Sequence, residues 1–191
     1  MRTSAGAVVV GVGNVFRRDD GVGPAVLALL EERARARPLP HGTVLRECDG
    51  DPGRLLGLWE NAGLAVVVDA CFPPSAHPGR VHRWCPVPGA TPVPTGTRRH
   101  STHGLGLLET IRLAHSLGRK PGRLVVYAVE GAERHLGTGL TPSVARAVLP
   151  LTEHVERDLV RHAEAVGRDR RLRAGAGGTR RSASVPSGAP P

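Results

Sequence analysis

The chain has 191 residues, 40% of them apolar, and a formal net charge of +9. One soluble domain is expected, since roughly 100 to 200 residues carry a single core, and no apolar run approaches the roughly 20 residues of a membrane span. The three cysteines (Cys48, Cys71 and Cys85) have no C-x-x-C spacing, so neither a disulfide framework nor a zinc ribbon is expected.

The N-terminal apolar segment is too short for a signal-peptide core and has no small-residue cleavage site after it; the expected location is the cytoplasm. Only one basic residue is a lysine (Lys120), and Ile111 is the sole isoleucine, which marks a GC-rich coding bias. Arginine is then partly a mutational default, and the basic balance argues weakly for a polyanion partner. The charge is also uneven. Residues 167–191 hold Arg168, Arg170, Arg171, Arg173, Arg180 and Arg181 against Asp169 alone, in a background of Gly, Ser, Ala and Pro. Such a segment cannot bury enough surface to offset its ordering entropy, so residues 1–166 are expected to form one domain and 167–191 a disordered tail. Scarce aromatics leave no stacking platform, and nucleic acid is not an expected partner.

In chain order, the valine run at residues 7–11, bounded by glycines, predicts a buried parallel strand. After Gly21, Val22, Ala25, Val26, Leu29 and Leu30 recur at helical spacing, with Pro24 in the tolerated first turn and Pro38 as the stop. Strands are predicted at 43–47, 64–69 (ending in Asp69), 81–84 and 124–129, and helices at 54–61, 103–117 and 142–166, the last kinked at Pro150. Residues 86–100, with four prolines and no periodicity, read as a surface loop of the length that covers a site. Alternating strands and helices predict a three-layer α/β fold, an open, twisted, mostly parallel sheet with helices on both faces.

In such sheets ligands bind beyond the carboxyl ends of the strands, so the polar residues that follow strands are the candidates. Asp20 lies in the loop after the first strand, Asp69 ends the third, and His103 opens the helix after the proline-rich loop. Two carboxylates and one imidazole suit a borderline divalent ion such as nickel or zinc. Each residue has a second reading: Asp20 as an N-cap, Asp69 as a buried acid paired within the fold, and His103 as an ordinary helix-start residue. The other histidines, His82 among them, follow no ligand spacing and read as surface residues. Cys71, two residues past Asp69, is assigned to packing on the other face of the strand. Gly11-Val12-Gly13 lacks the third glycine of a dinucleotide fingerprint, and Asp19 and Asp20 stand where a pyrophosphate would sit, so nucleotide binding is not expected.

Gly11-Val12-Gly13-Asn14, Asp19-Asp20-Gly21-Val22-Gly23, Val67-Val68-Asp69-Ala70, Ser101-Thr102-His103-Gly104-Leu105-Gly106 and Leu140-Thr141-Pro142 run in an order that resembles the hydrogenase maturation proteases. The resemblance is collinear from about Val8 to His162 and leaves the arginine-rich tail out. It implies a phosphorylase/hydrolase-like sheet and a cytoplasmic endopeptidase that trims the C-terminus of the nickel-iron hydrogenase large-subunit precursor. It also implies a nickel-sensing site at Asp20, Asp69 and His103, the nickel arriving with the precursor. Where many relatives carry an Asp-Gly-Gly-Thr-x-Gly turn, this chain has Asp49-Gly50-Asp51-Pro52-Gly53, which puts a role for Asp49 in substrate recognition in doubt. Two further readings stay open: a peptidyl-tRNA hydrolase-like enzyme, whose histidine-asparagine pair the first loop lacks, and a non-catalytic nickel-binding maturation chaperone.

Overall fold

The computed structural model describes residues 6–86 and 104–176. The proline-rich segment from residue 87 onward, His103 and residues 177–191 of the expected tail lie outside the described residues.

Among the described residues five strands form one sheet in the order β2-β1-β3-β5-β4. They are β1 (Ala7–Val12), β2 (Thr43–Cys48), β3 (Leu64–Cys71), β4 (Val81–Trp84) and β5 (Arg123–Glu130). β1 and β3 are buried along their whole length, as continuous runs of valine and alanine require when helices cover both faces. Four strands are parallel, and β4 pairs antiparallel with β5. The link from β3 to β4 is too short for a crossover helix, so the chain turns back and β4 runs opposite to the rest. The expected sheet is the observed one.

The helices divide between the two faces. On one, Val22, Val26 and Leu30 of α1 (Val22–Ala36) and Val144, Leu151, Val155 and Leu159 of α4 (Pro142–Ala176) bury against Val66, Val68 and Tyr127. On the other, Leu55, Leu56 and Trp59 of α2 (Pro52–Trp59) and Leu107, Ile111 and Ala114 of α3 (Gly104–Ser116) bury against Val10, Val67 and Val126. α1 sits low on the sheet because its first turn carries Gly23. A Cβ there would lie 2.4 Å from the Val12 carbonyl oxygen and 2.8 Å from that of Val68, closer than atoms can pack.

α4 is fastened by buried acids that its apolar periodicity does not announce. Glu156 accepts from Arg33 Nε and Nη2 at 2.9 and 3.0 Å and from Arg37 Nη2 at 3.0 Å, joining α4 to α1. Asp158 accepts from the Tyr127 hydroxyl at 2.8 Å and from Arg83 Nη2 at 3.0 Å, joining α4 to β5 and β4. Burial and the Asp158 hydrogen bond push the Tyr127 phenol up to about 12, so it stays a neutral donor. The Arg33 hydrogen bond, outweighing desolvation and helped by Arg37, holds the Glu156 carboxyl below its ordinary value of 4.5. A depressed carboxyl contributes stability above its unfolded pKa and loses it as the pH falls through the folded one. Glu156→Gln is therefore expected to be less stable by roughly 1–3 kcal/mol at neutral pH. In urea titrations that gap should narrow as the pH falls below the ordinary 4.5 and through the lowered folded value; a gap of equal size in acid and at neutral pH would refute the assignment.

α4 also departs from expectation at its end. The domain was expected to close at residue 166, yet the helix runs through Pro150 and on to Ala176. Residues 167–176 bury little, and what supports them is local: Arg168 with Glu164 at 4.0 Å and Arg173 with Asp169 at 3.0 Å, both at the i,i+4 spacing that favours a helix. A composition that excludes a core does not exclude an exposed helical extension.

Candidate active site

The loop after β1 is shaped by Gly13 and Asn14. Gly13 has φ 133°, and a Cβ on it would fall 1.8 Å from the Asp20 carbonyl oxygen. The Asn14 side-chain oxygen accepts the Phe16 N–H at 2.9 Å, and the Asn14 main-chain carbonyl accepts the Arg17 N–H at 3.0 Å. This closes the loop into a 3-10 turn at Arg18–Gly21, which leads directly into α1. The turn carries the two adjacent aspartates, both buried, and gives them different partners.

Asp19 is fully buried and faces away from the loop, into the segment between β5 and α4. Its carboxylate accepts the N–H groups of Ala132 (2.8 Å), Glu133 (3.1 Å) and Thr141 (2.7 Å) and the Thr141 hydroxyl (2.9 Å). Backbone bonds from Arg18 to Gly137 and from Gly137 to Phe16, both 2.9 Å, complete the junction. Two distant loops thus form one rigid rim beyond the carboxyl ends of the strands. On that rim Phe16 is 62% exposed and Leu136 81%.

Asp20 turns the other way, and its Oδ2 accepts the Asn14 N–H at 3.0 Å. It is not the cap of α1: that position is Gly21, and no side chain caps the helix. The turn packs against β3, the strand that carries Asp69. Asp69, 3% exposed, is not the last residue of its strand, because β3 continues to Cys71. The fold therefore sets two buried carboxylates on touching elements near the carboxyl ends of the central strands. Buried carboxylates are costly unless they are bonded or bind a cation, and an ionised carboxylate offers about four acceptor sites. Hard oxygen donors of this kind fit a divalent ion. Among the described residues no three His, Cys, Asp or Glu side chains converge as ligands.

Cys71 shares the face of Asp69, contrary to expectation, because residues two apart on a strand point the same way. Burial, with the Glu130 and Asp69 carboxylates, pushes its thiol up to about 12, and Cys48 is raised by burial as well. A protonated thiol is a poor nucleophile, which removes both from candidacy as an attacking group. The departure in the turn after β2 has a structural reason. Asp51 caps α2, accepting the Arg54 N–H at 2.7 Å, with Pro52 as the first helical residue.

Glu130, at the end of β5, is 3% exposed and bonds His82 Nε2 at 2.6 Å. Neither residue stood among the sequence candidates. The signal for Glu130 was the same as for Asp69, an acid closing an apolar strand. His82, expected at the surface, is only partly exposed and has this carboxylate as its partner.

No family model matches the chain. It is 29% identical over 152 residues to the hydrogenase 2 maturation protease of Escherichia coli, spanning 78% of this chain and 87% of that protein. It is 28% identical over 144 residues to the hydrogenase expression/formation protein HupD of Bradyrhizobium diazoefficiens, spanning 75% and 72%. The hydrogenase maturating endopeptidase HybD from E. coli superposes with a TM-score of 0.62 at 27% identity over 81% of this chain and 90% of its own. In sequence and in fold the chain is thus similar to hydrogenase maturation proteases. The chain is accordingly a peptide hydrolase on a three-layer α/β scaffold. A maturation protease from Thermococcus kodakarensis, at 21% identity and a TM-score of 0.61, has the same fold.

Proposed function

We propose that the chain is an aspartic-type endopeptidase that removes the C-terminal propeptide of a nickel-iron hydrogenase large-subunit precursor, in the cytoplasm and after nickel has been inserted. The carrying observation is the juxtaposition just described: the turn holding buried Asp20 packs on the strand holding buried Asp69. His103, which lies outside the described residues, is the third member of the set on the strength of its motif before α3. On this reading the ion belongs to the substrate. Asp20, Asp69 and His103 complete its coordination and so bring the scissile peptide to the enzyme, where Lewis-acid polarisation eases attack by water. A protein substrate reaching Asp20 passes the rim where Phe16 and Leu136 are exposed, apolar surface of the kind that receives a partner.

The test is incubation with nickel-loaded and nickel-free precursor, followed by mass spectrometry of the large subunit. Loss of a C-terminal segment in the loaded sample alone is the expected result. Equal cleavage of both samples would refute recognition of nickel. Tight nickel binding without any cleavage would instead favour the chaperone reading, and strongly salt-dependent tRNA binding the peptidyl-tRNA hydrolase one.

A further inference from the structure

Strand register places one more ionisable side chain on the face of Asp69. Asp69 of β3 pairs with Ala128 of β5, and Ala128 pairs with His82 of β4. The row toward the amino ends of β3 and β5, Val67, Val126 and Trp84, lies in the core beneath α2 and α3, which fixes the face on which Asp69, Ala128 and His82 stand. Neighbouring strands are about 4.8 Å apart, so the Cα atoms of Asp69 and His82 are separated by about 10 Å, with a methyl group between them.

His82 is also held. Its Nε2 lies 2.6 Å from Glu130 Oε1, while Glu130 Oε2 accepts the His77 N–H and Arg80 Nη1 stands 4.0 Å from Oε1. Burial would raise the Glu130 carboxyl, but the His77 and His82 hydrogen bonds and Arg80 outweigh it and hold the acid below its ordinary range. An ionised carboxylate only accepts, so Nε2 carries a proton, and in the neutral imidazole the free electron pair is the one on Nδ1. The loop before β4 is already closed by backbone bonds from Gly79 to Glu130 (2.8 Å) and from Glu130 to Arg80 (2.9 Å). The imidazole is not needed to close it. The His82 side chain remains 23% exposed, so it is reachable from outside.

We propose that His82, oriented by Glu130, is the acid–base group of the cleavage; this rests on the endopeptidase reading above. His82 Nδ1 takes a proton from the attacking water as its oxygen bonds to the scissile carbonyl carbon. The C–N bond then breaks, its electron pair stays on the leaving nitrogen, and the imidazolium returns the proton to that nitrogen. One water is consumed, and the products are a carboxylic acid and an amine. Glu130 is a positioning residue: it fixes the tautomer and stabilises the cation formed in passing.

The test compares wild type, His82→Gly and His82→Asn on nickel-loaded precursor. For His82→Gly we expect kcat to fall about 10²- to 10⁴-fold, with KM within about twofold and added imidazole restoring at least about tenfold. His82→Asn, which keeps the strand filled, should show the same loss and covers the case in which the glycine variant melts early. Either variant processing within about threefold of wild type overturns the proposal, as does a natively melting His82→Gly that imidazole does not rescue. A wild-type chain that leaves the precursor whole sinks the endopeptidase reading as well, whereas an active wild type beside an equally active variant sinks only the role of His82.

Discussion

Asp69→Asn is expected to abolish processing of nickel-loaded precursor while leaving the thermal midpoint within a few degrees of wild type. The two side chains have nearly the same volume, so the packing of β3 between β1 and β5 is kept. A neutral amide is also cheaper to bury than an ion, which offsets part of any lost bonding. What the substitution removes is negative charge at a site proposed to bind a cation. Lewis-acid polarisation is worth several kcal/mol at the transition state, and each 1.36 kcal/mol is tenfold in rate, so the loss should be about 10³-fold or more. His103→Ala should match it. Full processing by either variant would end the proposed ligand assignment. Retained cleavage with lost nickel discrimination would instead place these residues in recognition rather than in chemistry.

The adjacent acid, one position before Asp20, should behave in the opposite way. Asp19→Ala is expected to lower stability by about 3–5 kcal/mol. The carboxylate accepts four hydrogen bonds in a fully buried site, and its removal strands the N–H groups of Ala132, Glu133 and Thr141 without their acceptor. In a domain of this size 1 kcal/mol moves the midpoint by about 2–4 °C, so a fall on the order of 10 °C is expected. Asp19→Asn should recover less than half of it, because the amide nitrogen would face donors that need an acceptor. Calorimetry of the two variants checks this; a midpoint within about 3 °C of wild type for Asp19→Ala would show that the junction between the loops does not depend on the carboxylate. Whatever activity survives should be that of the folded fraction. Neighbouring aspartates thus separate into one that holds the rim together and one that faces the proposed chemistry.

Much of this was legible in the sequence. Valine runs bounded by glycine mark the parallel strands, Pro24 and Pro38 bracket α1, and the carboxyl-end rule selects Asp20 and Asp69. The work of Asp19 was not legible, because its partners lie more than 110 residues away and three of its four bonds come from the backbone N–H groups of Ala132, Glu133 and Thr141, which no residue type announces. Glu156 and Asp158 were hidden in the same way: helical periodicity assigns them to a face, but only the approach of Arg33 and Arg83 from other elements makes that face a buried one. The reach of α4 to Ala176 was missed for a different reason, since charge pairs at helical spacing hold a segment that buries little.

Composition and periodicity alone determined the layers, the sheet and the candidate acids, because burial patterns repeat at short range and are written residue by residue. Tertiary structure alone decided that Asp19 ties two loops together and brought His82 into line with Asp69. Strand register is a long-range property: β3, β5 and β4 place Asp69, Ala128 and His82 in one row only once β4 turns back beside β5.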